Sequence, residues 1–177
     1  MGCGRLEQAD RRGRGPGKPG GATPNKRGGS GGNAMMVKQI LREKGHNVVT
    51  VPLDATLSEA TVVLAQKRIG ALVVRDTEGQ VVGILSERDI IQALAQESVN
   101  ALTHPVSAHM TRRVSTCSET DTIDDLMELM TLKRFRHVPV MAEGRLAGIV
   151  SIGDIVKSRI AETEREAESL RGYIATG

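Results

Sequence analysis

The sequence predicts an α+β fold of two similar modules that pack sheet to sheet with pseudo-two-fold symmetry. The first observation behind this prediction is an internal repeat, because residues 56–69 align with residues 122–135 without a gap and the match continues from 83–90 to 148–155. The second is that the hydrophobic period changes in the same order in both copies. Each module is therefore predicted to have the order β-α-β-β-α.

The first helix of each module is predicted from apolar residues at helical spacing, with Thr56 and Thr122 as N-caps. These apolar residues are Leu57, Ala60, Val63 and Leu64 in the first copy, and Ile123, Leu126, Leu129 and Met130 in the second. A stripe of this kind is typical of core packing. We therefore assign these helices to the core and not to a binding site.

A β-hairpin follows each of these helices. Short β-branched runs at 71–74 and 81–85 flank a turn that contains glycine, and the runs at 136–140 and 146–150 repeat the pattern. A second helix is predicted to begin near Ser86 and again near Ser151. Because a module of this size buries little apolar surface alone, the two are expected to share a core and to form clefts where they meet.

The predicted organisation has four parts. Residues 1–34 form a Gly/Arg-rich disordered tail, or a leader before a start at Met35 or Met36, and the modules occupy 35–98 and 99–160. Residues 161–177 extend the last helix. From Ile155 onward this helix is charged and amphipathic, so it is expected to contact a partner surface.

Composition excludes several classes of function. The net charge is +3, but residues 1–33 hold seven basic and two acidic residues, so the basic character belongs to the tail and nucleic acid is not the expected partner. The only aromatic residues are Phe135 and Tyr173, too few for base-stacking platforms. A long apolar run and a signal peptide are both missing, so no membrane association and a cytoplasmic location are expected.

Catalysis and metal binding have little support in the sequence. Cys3 and Cys117 are too few for a disulfide framework or a cysteine zinc site, and Cys117 has no evident base partner. The histidines lack metal-ligand spacing, so no metal is predicted; they are His46, His104, His109 and His137. We therefore expect a protein that is not an enzyme.

Ser86 and Asp89 are the strongest candidates for ligand contact. Their spacing places both side chains on one face at a helix N-terminus, where free N–H groups and the helix dipole favour a phosphate and the carboxylate can accept ribose hydroxyls. Ser151 and Asp154 repeat the pair. The competing interpretation is that each pair only caps its own helix.

Two segments of the form Gly-hydrophobic-hydrophobic-Ser-x-x-Asp, 83–89 and 148–154, each follow a hairpin and a helix that begins at threonine. In this the chain resembles tandem CBS domains, the cystathionine-β-synthase-type pair or Bateman module, over residues 36–160. The resemblance implies two CBS modules with nucleotide sites between them. It implies Ser86 with Asp89 at one site and Ser151 with Asp154 at the other.

The resemblance also implies contacts from the strands that line the clefts. Arg134, Arg136 and His137 would meet phosphate oxygens, whereas the matching Gly70 of the first module carries no charge, so the two sites should differ. The competing interpretation is that the two arginines belong to a solvated helix end. The remaining implied nucleotide-binding residues are Thr50, Val51, Ala71, Leu72, Arg88, Val114, Ser115, Thr116, Val138 and Pro139. Arg112 and Arg113 are further phosphate candidates, or plain surface residues.

The leading hypothesis is a regulatory sensor of adenine nucleotides. AMP-like ligands are favoured, with ADP, ATP and NAD(H) as rivals, and the signal is expected to pass through an effector protein in trans or through the assembly state of a homodimer. The alternative is a homodimeric structural or adaptor protein that has no physiological nucleotide.

Overall fold

A computed structural model of the protein describes residues 35–175, without the side chains of residues 166, 170 and 172–175. The predicted tail, including Cys3, lies outside the described residues. The helices are α1 (Val37–Lys44), α2 (Leu57–Lys67), α3 (Glu87–Glu97), α4 (Val106–His109), α5 (Ile123–Lys133) and α6 (Ile152–Ala175), and a 3₁₀ helix spans Ser98–Thr103. The strands are β1 (Thr50–Pro52), β2 (Ala71–Arg75), β3 (Val81–Ser86), β4 (Cys117–Ser118), β5 (His137–Ala142) and β6 (Arg145–Ser151).

The strands form two three-stranded sheets of the same topology, β1-β2-β3 and β4-β5-β6. In each sheet the first strand runs parallel to the second and the hairpin is antiparallel. Ala71 pairs with Ser86 in one hairpin and His137 with Ser151 in the other. The α+β class and the order of elements in each module are as predicted.

The predicted helix N-caps are confirmed. The Thr56 hydroxyl accepts from the Glu59 amide at 3.2 Å, and the Thr122 hydroxyl accepts from the Asp125 amide at 3.1 Å. The first strand of the second module is shorter than its counterpart, because β4 begins at Cys117 and residues 114–116 lead into it without strand pairing.

The helix that precedes each module packs into the core of the other module. Leu41 of α1 is fully buried in the core of the second module, and Met110, just after α4, is buried in the core of the first. A Cβ atom on Gly148 would come within 2.6 Å of the Leu41 side chain, and one on Gly83 would overlap the Met110 side chain, so a larger residue at either position would displace that side chain. The two modules are interlocked, and each core takes in residues from beyond the boundary predicted after residue 98.

The last helix is continuous from the core of the second module to Ala175. Ile155, predicted as a partner contact, is fully buried in the core of the second module, whereas Ile160 is 55% exposed. Across residues 35–175, none of the helices has the length and apolar character needed to cross a bilayer.

Candidate functional site: a cationic cleft between the modules

A cleft of about 340 Å³ opens where the two modules meet. The first module supplies the N-terminal end of α3, and the second supplies the segment between α5 and β5. The connector after α4 closes a third side. The lining residues are Gly70, Ile84, Ser86, Glu87, Arg88, Asp89, Thr111, Arg113, Val114, Ser115, Lys133, Arg134, Phe135, Arg136 and His137.

Half of the predicted binding residues line this cleft. They are Gly70, Ser86, Arg88, Asp89, Val114, Ser115, Arg134, Arg136 and His137. The other nine, Thr50, Val51, Ala71, Leu72, Thr116, Val138, Pro139, Ser151 and Asp154, lie outside its lining. Among them Leu72 and Val138 are fully buried. Their ligand roles stay predictions.

Several lining residues were not in the predicted set. Thr111 reaches the cleft because its backbone pairs with Ile84 through hydrogen bonds of 2.9 and 3.1 Å, a contact that spacing in the sequence does not reveal. Of the two further phosphate candidates, Arg113 lines the cleft, whereas Arg112 donates to the Ser107 carbonyl at 2.7 Å. The added lining is completed by Ile84, Glu87, Lys133 and Phe135.

Ser86 and Asp89 form a capping box at the start of α3. One Asp89 carboxylate oxygen accepts from the Ser86 amide at 2.7 Å and from its hydroxyl at 2.6 Å. The Ser86 hydroxyl accepts from the Asp89 amide at 3.4 Å. Ser86 and Asp89 therefore hold each other in place at the cleft wall. This is the geometry that the capping interpretation predicts, and it also fixes the positions of both side chains in the lining.

The cleft carries an excess of positive charge. Five cationic side chains line it, namely Arg88, Arg113, Lys133, Arg134 and Arg136, against the carboxylates of Glu87 and Asp89. Within residues 35–175, none of the five takes part in an ion pair. Uncompensated arginines around a helix N-terminus favour an anion with several oxygens, such as a phosphate.

His137 lies at the junction of the two modules. A Cβ atom on Gly70 would come within 3.0 Å of the His137 ring, so only glycine leaves this ring its position. Burial lowers the pKa of His137 below its ordinary 6.5, and the positive charge of Lys44 lowers it further. The negative charges of Asp154 and Glu87 act in the opposite direction but do not outweigh burial. The ring is therefore neutral at neutral pH and can present a donor or an acceptor to a ligand.

Apolar side chains offer a place for a base. Ile84, Val114 and Phe135 share the lining with the cations, so the cleft combines an apolar wall with a charged one. This is the composition of a site for an amphipathic anion.

The second Ser-Asp pair has the same cap but a different environment. Asp154 accepts from the Ser151 amide and hydroxyl, both at 2.7 Å, and also from Lys44 Nζ at 2.6 Å. Lys44 donates to the Ile149 carbonyl at 3.2 Å as well. Burial acts to raise the pKa of Asp154, but the hydrogen bonds from Lys44 and Ser151 outweigh it and hold that pKa below its ordinary value.

The pseudo-symmetry shows which residue of the first cleft corresponds to Lys44. Leu41 and Met110 occupy equivalent positions against Gly148 and Gly83, and three residues further on stand Lys44 and Arg113. Lys44 is paired with Asp154, whereas Arg113 lines the open cleft beside Asp89. The surroundings of the two Ser-Asp pairs therefore differ, and the nucleotide sites implied at them stay a prediction. Of the five cations of the open cleft, Arg88 comes from α3 of the first module, Arg113 from the connector, and the other three from the second module.

Cys117 is not a reactive thiol. Its side chain is buried, and burial together with the nearby charge of Asp121 raises its pKa to about 12. Because only the thiolate is a strong nucleophile, this group is inert at neutral pH.

Comparison with known proteins identifies the repeat. The family model of the CBS domain matches the chain twice, at residues 37–96 and 106–161. A 17.7 kDa protein from Acidianus ambivalens is 33% identical over 144 residues, which cover 78% of this chain and 84% of that protein.

Solved structures of similar chains include several CBS-domain proteins. The CBS-domain containing protein ATU1752 from Agrobacterium tumefaciens is 49% identical and has a TM-score of 0.70, over 73% of this chain and 97% of that one. The CBS domain pair of MJ0100, in complex with 5-methylthioadenosine and S-adenosyl-L-methionine, is 29% identical with a TM-score of 0.65, over 73% and 98%. PAE2072 from Pyrobaculum aerophilum, complexed with AMP, is 30% identical with a TM-score of 0.61, over 68% and 89%.

Proposed function

Because the chain belongs to the CBS-domain family, we propose that it is a regulatory protein that binds an adenine nucleotide in the cleft between its two modules. Similar CBS pairs have been crystallised with AMP and with S-adenosyl-L-methionine and 5-methylthioadenosine, which supports an adenine-containing ligand. The single observation that carries the proposal for this chain is the uncompensated positive charge of the cleft.

That charge favours a phosphorylated ligand over a sulfonium. Arg113 lines the cleft from the connector and Arg136 lines it from the segment before β5, and each guanidinium can present two parallel N–H groups to a phosphate. S-Adenosyl-L-methionine carries a sulfonium cation where AMP carries a phosphate. AMP, ADP and ATP are therefore the proposed ligands, with NAD(H) as a rival that also carries phosphates.

One cleft is proposed to bind the nucleotide in the resting protein. Lys44 already satisfies the Asp154 carboxylate at 2.6 Å, so a ribose that used Asp154 would have to displace that ion pair. Asp89 has no such competitor among the residues described here. The expected stoichiometry is one nucleotide per chain.

The output of the module is proposed to be an interaction, not a reaction. Large apolar side chains are exposed on the helices, and a homodimer or an effector protein would cover them; they are Val62, Ile91, Val99, Met127, Leu132, Val156 and Ile160. Nucleotide binding would then change assembly or effector affinity. The adaptor alternative depends on the same apolar surface and needs no ligand.

Isothermal titration of the full chain with AMP, ADP, ATP, NADH and S-adenosyl-L-methionine tests the proposal. Asp89→Asn should abolish binding. Asp154→Asn is its matched control, because it disturbs the corresponding cap of α6 in the same way. Arg136→Ala should weaken phosphorylated ligands more than adenosine, whereas Arg145→Ala, on an exposed residue outside the lining, should change nothing.

Thermal unfolding provides a second readout. A ligand at a hundred times its dissociation constant stabilises the folded state by about 2.7 kcal/mol, a shift that is easily measured. If no nucleotide binds the wild-type chain by either method, the sensor function is wrong and the adaptor function takes its place.

A further inference from the structure

Three metal-ligating side chains meet on the first module, away from the nucleotide cleft. Glu97 ends α3, His104 follows the 3₁₀ helix and His109 ends α4. One ligand atom from each lies within 4.8 Å of the other two. Spacing along the chain does not reveal this cluster, because the three residues come from separate short elements.

Hydrogen bonds alone satisfy this group poorly. His104 Nδ1 lies 2.8 Å from a Glu97 carboxylate oxygen, and His109 Nε2 lies 3.4 Å from the same Nδ1 and 3.9 Å from the other Glu97 oxygen. Nδ1 can carry one proton, which the short contact with Glu97 takes. His109 is left with no good partner in the cluster, although its nitrogen points at the two others.

A metal ion between these atoms would satisfy all three. Zinc binds nitrogen at 2.0–2.1 Å and carboxylate oxygen at about 2.0–2.2 Å in a tetrahedron, which places neighbouring ligand atoms roughly 3.4 Å apart. The observed separations of 2.8, 3.4 and 3.9 Å bracket that value. The two rings are nearly parallel, with centroids 5.7 Å apart, so the histidines would rotate to direct both nitrogens at one ion.

We propose that Glu97, His104 and His109 bind a divalent transition-metal ion of the zinc class, with a water completing the coordination. Two imidazoles and one carboxylate suit Zn²⁺, Ni²⁺ or Cu²⁺, whereas Mg²⁺ and Ca²⁺ prefer oxygen ligands only. The side chains of His104 and Glu97 are 41% and 37% exposed, so an ion can enter from solvent. The His109 side chain, 14% exposed, forms the floor of the site.

A metal at this site would connect α3 to α4, and both helices lead to the nucleotide cleft. The N-terminal end of α3 carries Ser86 and Asp89, and residues 111–115 follow α4 directly. A metal that joins the C-terminal ends of α3 and α4 would therefore fix their relative position. The metal site does not depend on the proposed nucleotide function.

Titration of the metal-free full chain with ZnCl₂ tests the site, in a Cys3→Ser background that removes a competing thiol. We expect one equivalent to bind and to raise the melting temperature, and MgCl₂ to do neither. His109→Ala and Glu97→Gln should each lower the zinc affinity at least about tenfold. Loss of a residue that only supports a metal ligand already lowers metal affinity by about 10–100-fold, so loss of a ligand should lower it at least as much. His46→Ala, which removes a histidine outside the cluster, should bind zinc as the wild type does.

Two results would overturn the proposal. One is zinc binding that survives His109→Ala unchanged, and the other is the absence of a zinc-dependent shift in the wild type. If His109→Ala fails to fold, His104→Gln replaces it, because the His104 side chain is the most exposed of the three. Substitution with Co²⁺ adds a visible absorption spectrum that reports the ligand set directly.

Discussion

Lys44 and Asp154 are joined by a 2.6 Å ion pair that links the end of α1 to the start of α6. The pair exists because α1 crosses to the second module, where Leu41 packs against Gly148 one turn before Lys44. At the equivalent place in the first cleft stands Arg113, and within residues 35–175 Asp89 forms no ion pair. A single residue of the chain entering the first module thus distinguishes the two clefts.

Lys44→Ala should allow a second nucleotide to bind at Ser151 and Asp154. Removal of the ammonium frees the Asp154 carboxylate, so the stoichiometry in a calorimetric titration with AMP should rise from one toward two per chain. The cost to the free energy of unfolding should be about 0.2–1 kcal/mol, the value of a partly exposed ion pair. Lys38→Ala is the control, because Lys38 is exposed on the same helix. An unchanged stoichiometry would mean that Lys44 does not block this cleft.

Asp154→Asn should lower stability at neutral pH but not in strong acid. The folded-state pKa of Asp154 lies below its ordinary 3.8, so its contribution is complete above pH 3.8 and is lost as the pH falls through the folded value. We expect a loss of about 1 kcal/mol at neutral pH from the helix cap and the ion pair together. Urea unfolding at neutral pH and in steps below pH 3.8 measures it. A difference from wild type that persists undiminished in acid would contradict the assignment.

His137 should make stability fall on mild acidification. Its pKa is lowered in the folded protein, so the unfolded chain takes up the proton first and stability decreases as the pH falls below 6.5. His137→Gln should remove this part of the pH dependence, and His46→Gln should leave it in place. Urea unfolding on both sides of pH 6.5 provides the measurement; equal slopes for wild type and His137→Gln would refute the prediction.

Gly70→Ala should impair the cleft through His137. The added methyl group would come within 3.0 Å of the His137 ring and 3.6 Å of a Glu87 carboxylate oxygen, so the ring has to move. We expect weaker nucleotide binding with a modest loss of stability, because the histidine can give way more easily than a backbone. Gly83→Ala is the contrasting variant, since its methyl group would strike Met110 in the core and should reduce stability chiefly. Parallel titration and thermal unfolding separate the two effects.

Replacement of exposed apolar residues should dissociate the proposed homodimer. Ile91 on α3 and Val156 on α6 are equivalent positions of the repeat and are 65% and 49% exposed. The double variant Ile91→Glu/Val156→Glu should be monomeric in analytical ultracentrifugation, with nucleotide binding retained. Thr77→Glu is the control, because Thr77 is exposed in the turn between β2 and β3, outside this apolar set. A monomeric wild-type chain would exclude the homodimer.

Much of the fold could be predicted because it depends on local pattern and repetition. Thr56 and Thr122 mark helix starts through their own hydroxyls, and the glycine-containing turns mark the hairpins. The Ser86–Asp89 pair was found in the same way. The two interpretations of the pair, helix capping and ligand contact, could not be distinguished from the sequence, because a capping box and a phosphate-binding helix start use the same side chains.

Long-range contacts decided the rest. Thr111 enters the cleft by pairing with Ile84, and Glu97, His104 and His109 meet only because α3, the 3₁₀ helix and α4 fold back on one another. Spacing along the chain cannot show such meetings.

By itself the sequence determined two repeated modules, their elements and the Ser-Asp pair that each one carries. These follow from periodicity and capping, which act over a few residues. The ion pair on Asp154, and the lack of one on Asp89 among residues 35–175, depend on tertiary packing, because α1 crosses to the second module and places Lys44 on Asp154. The sequence contains both residues, but the attraction between their charges acts only at the short distance that packing creates.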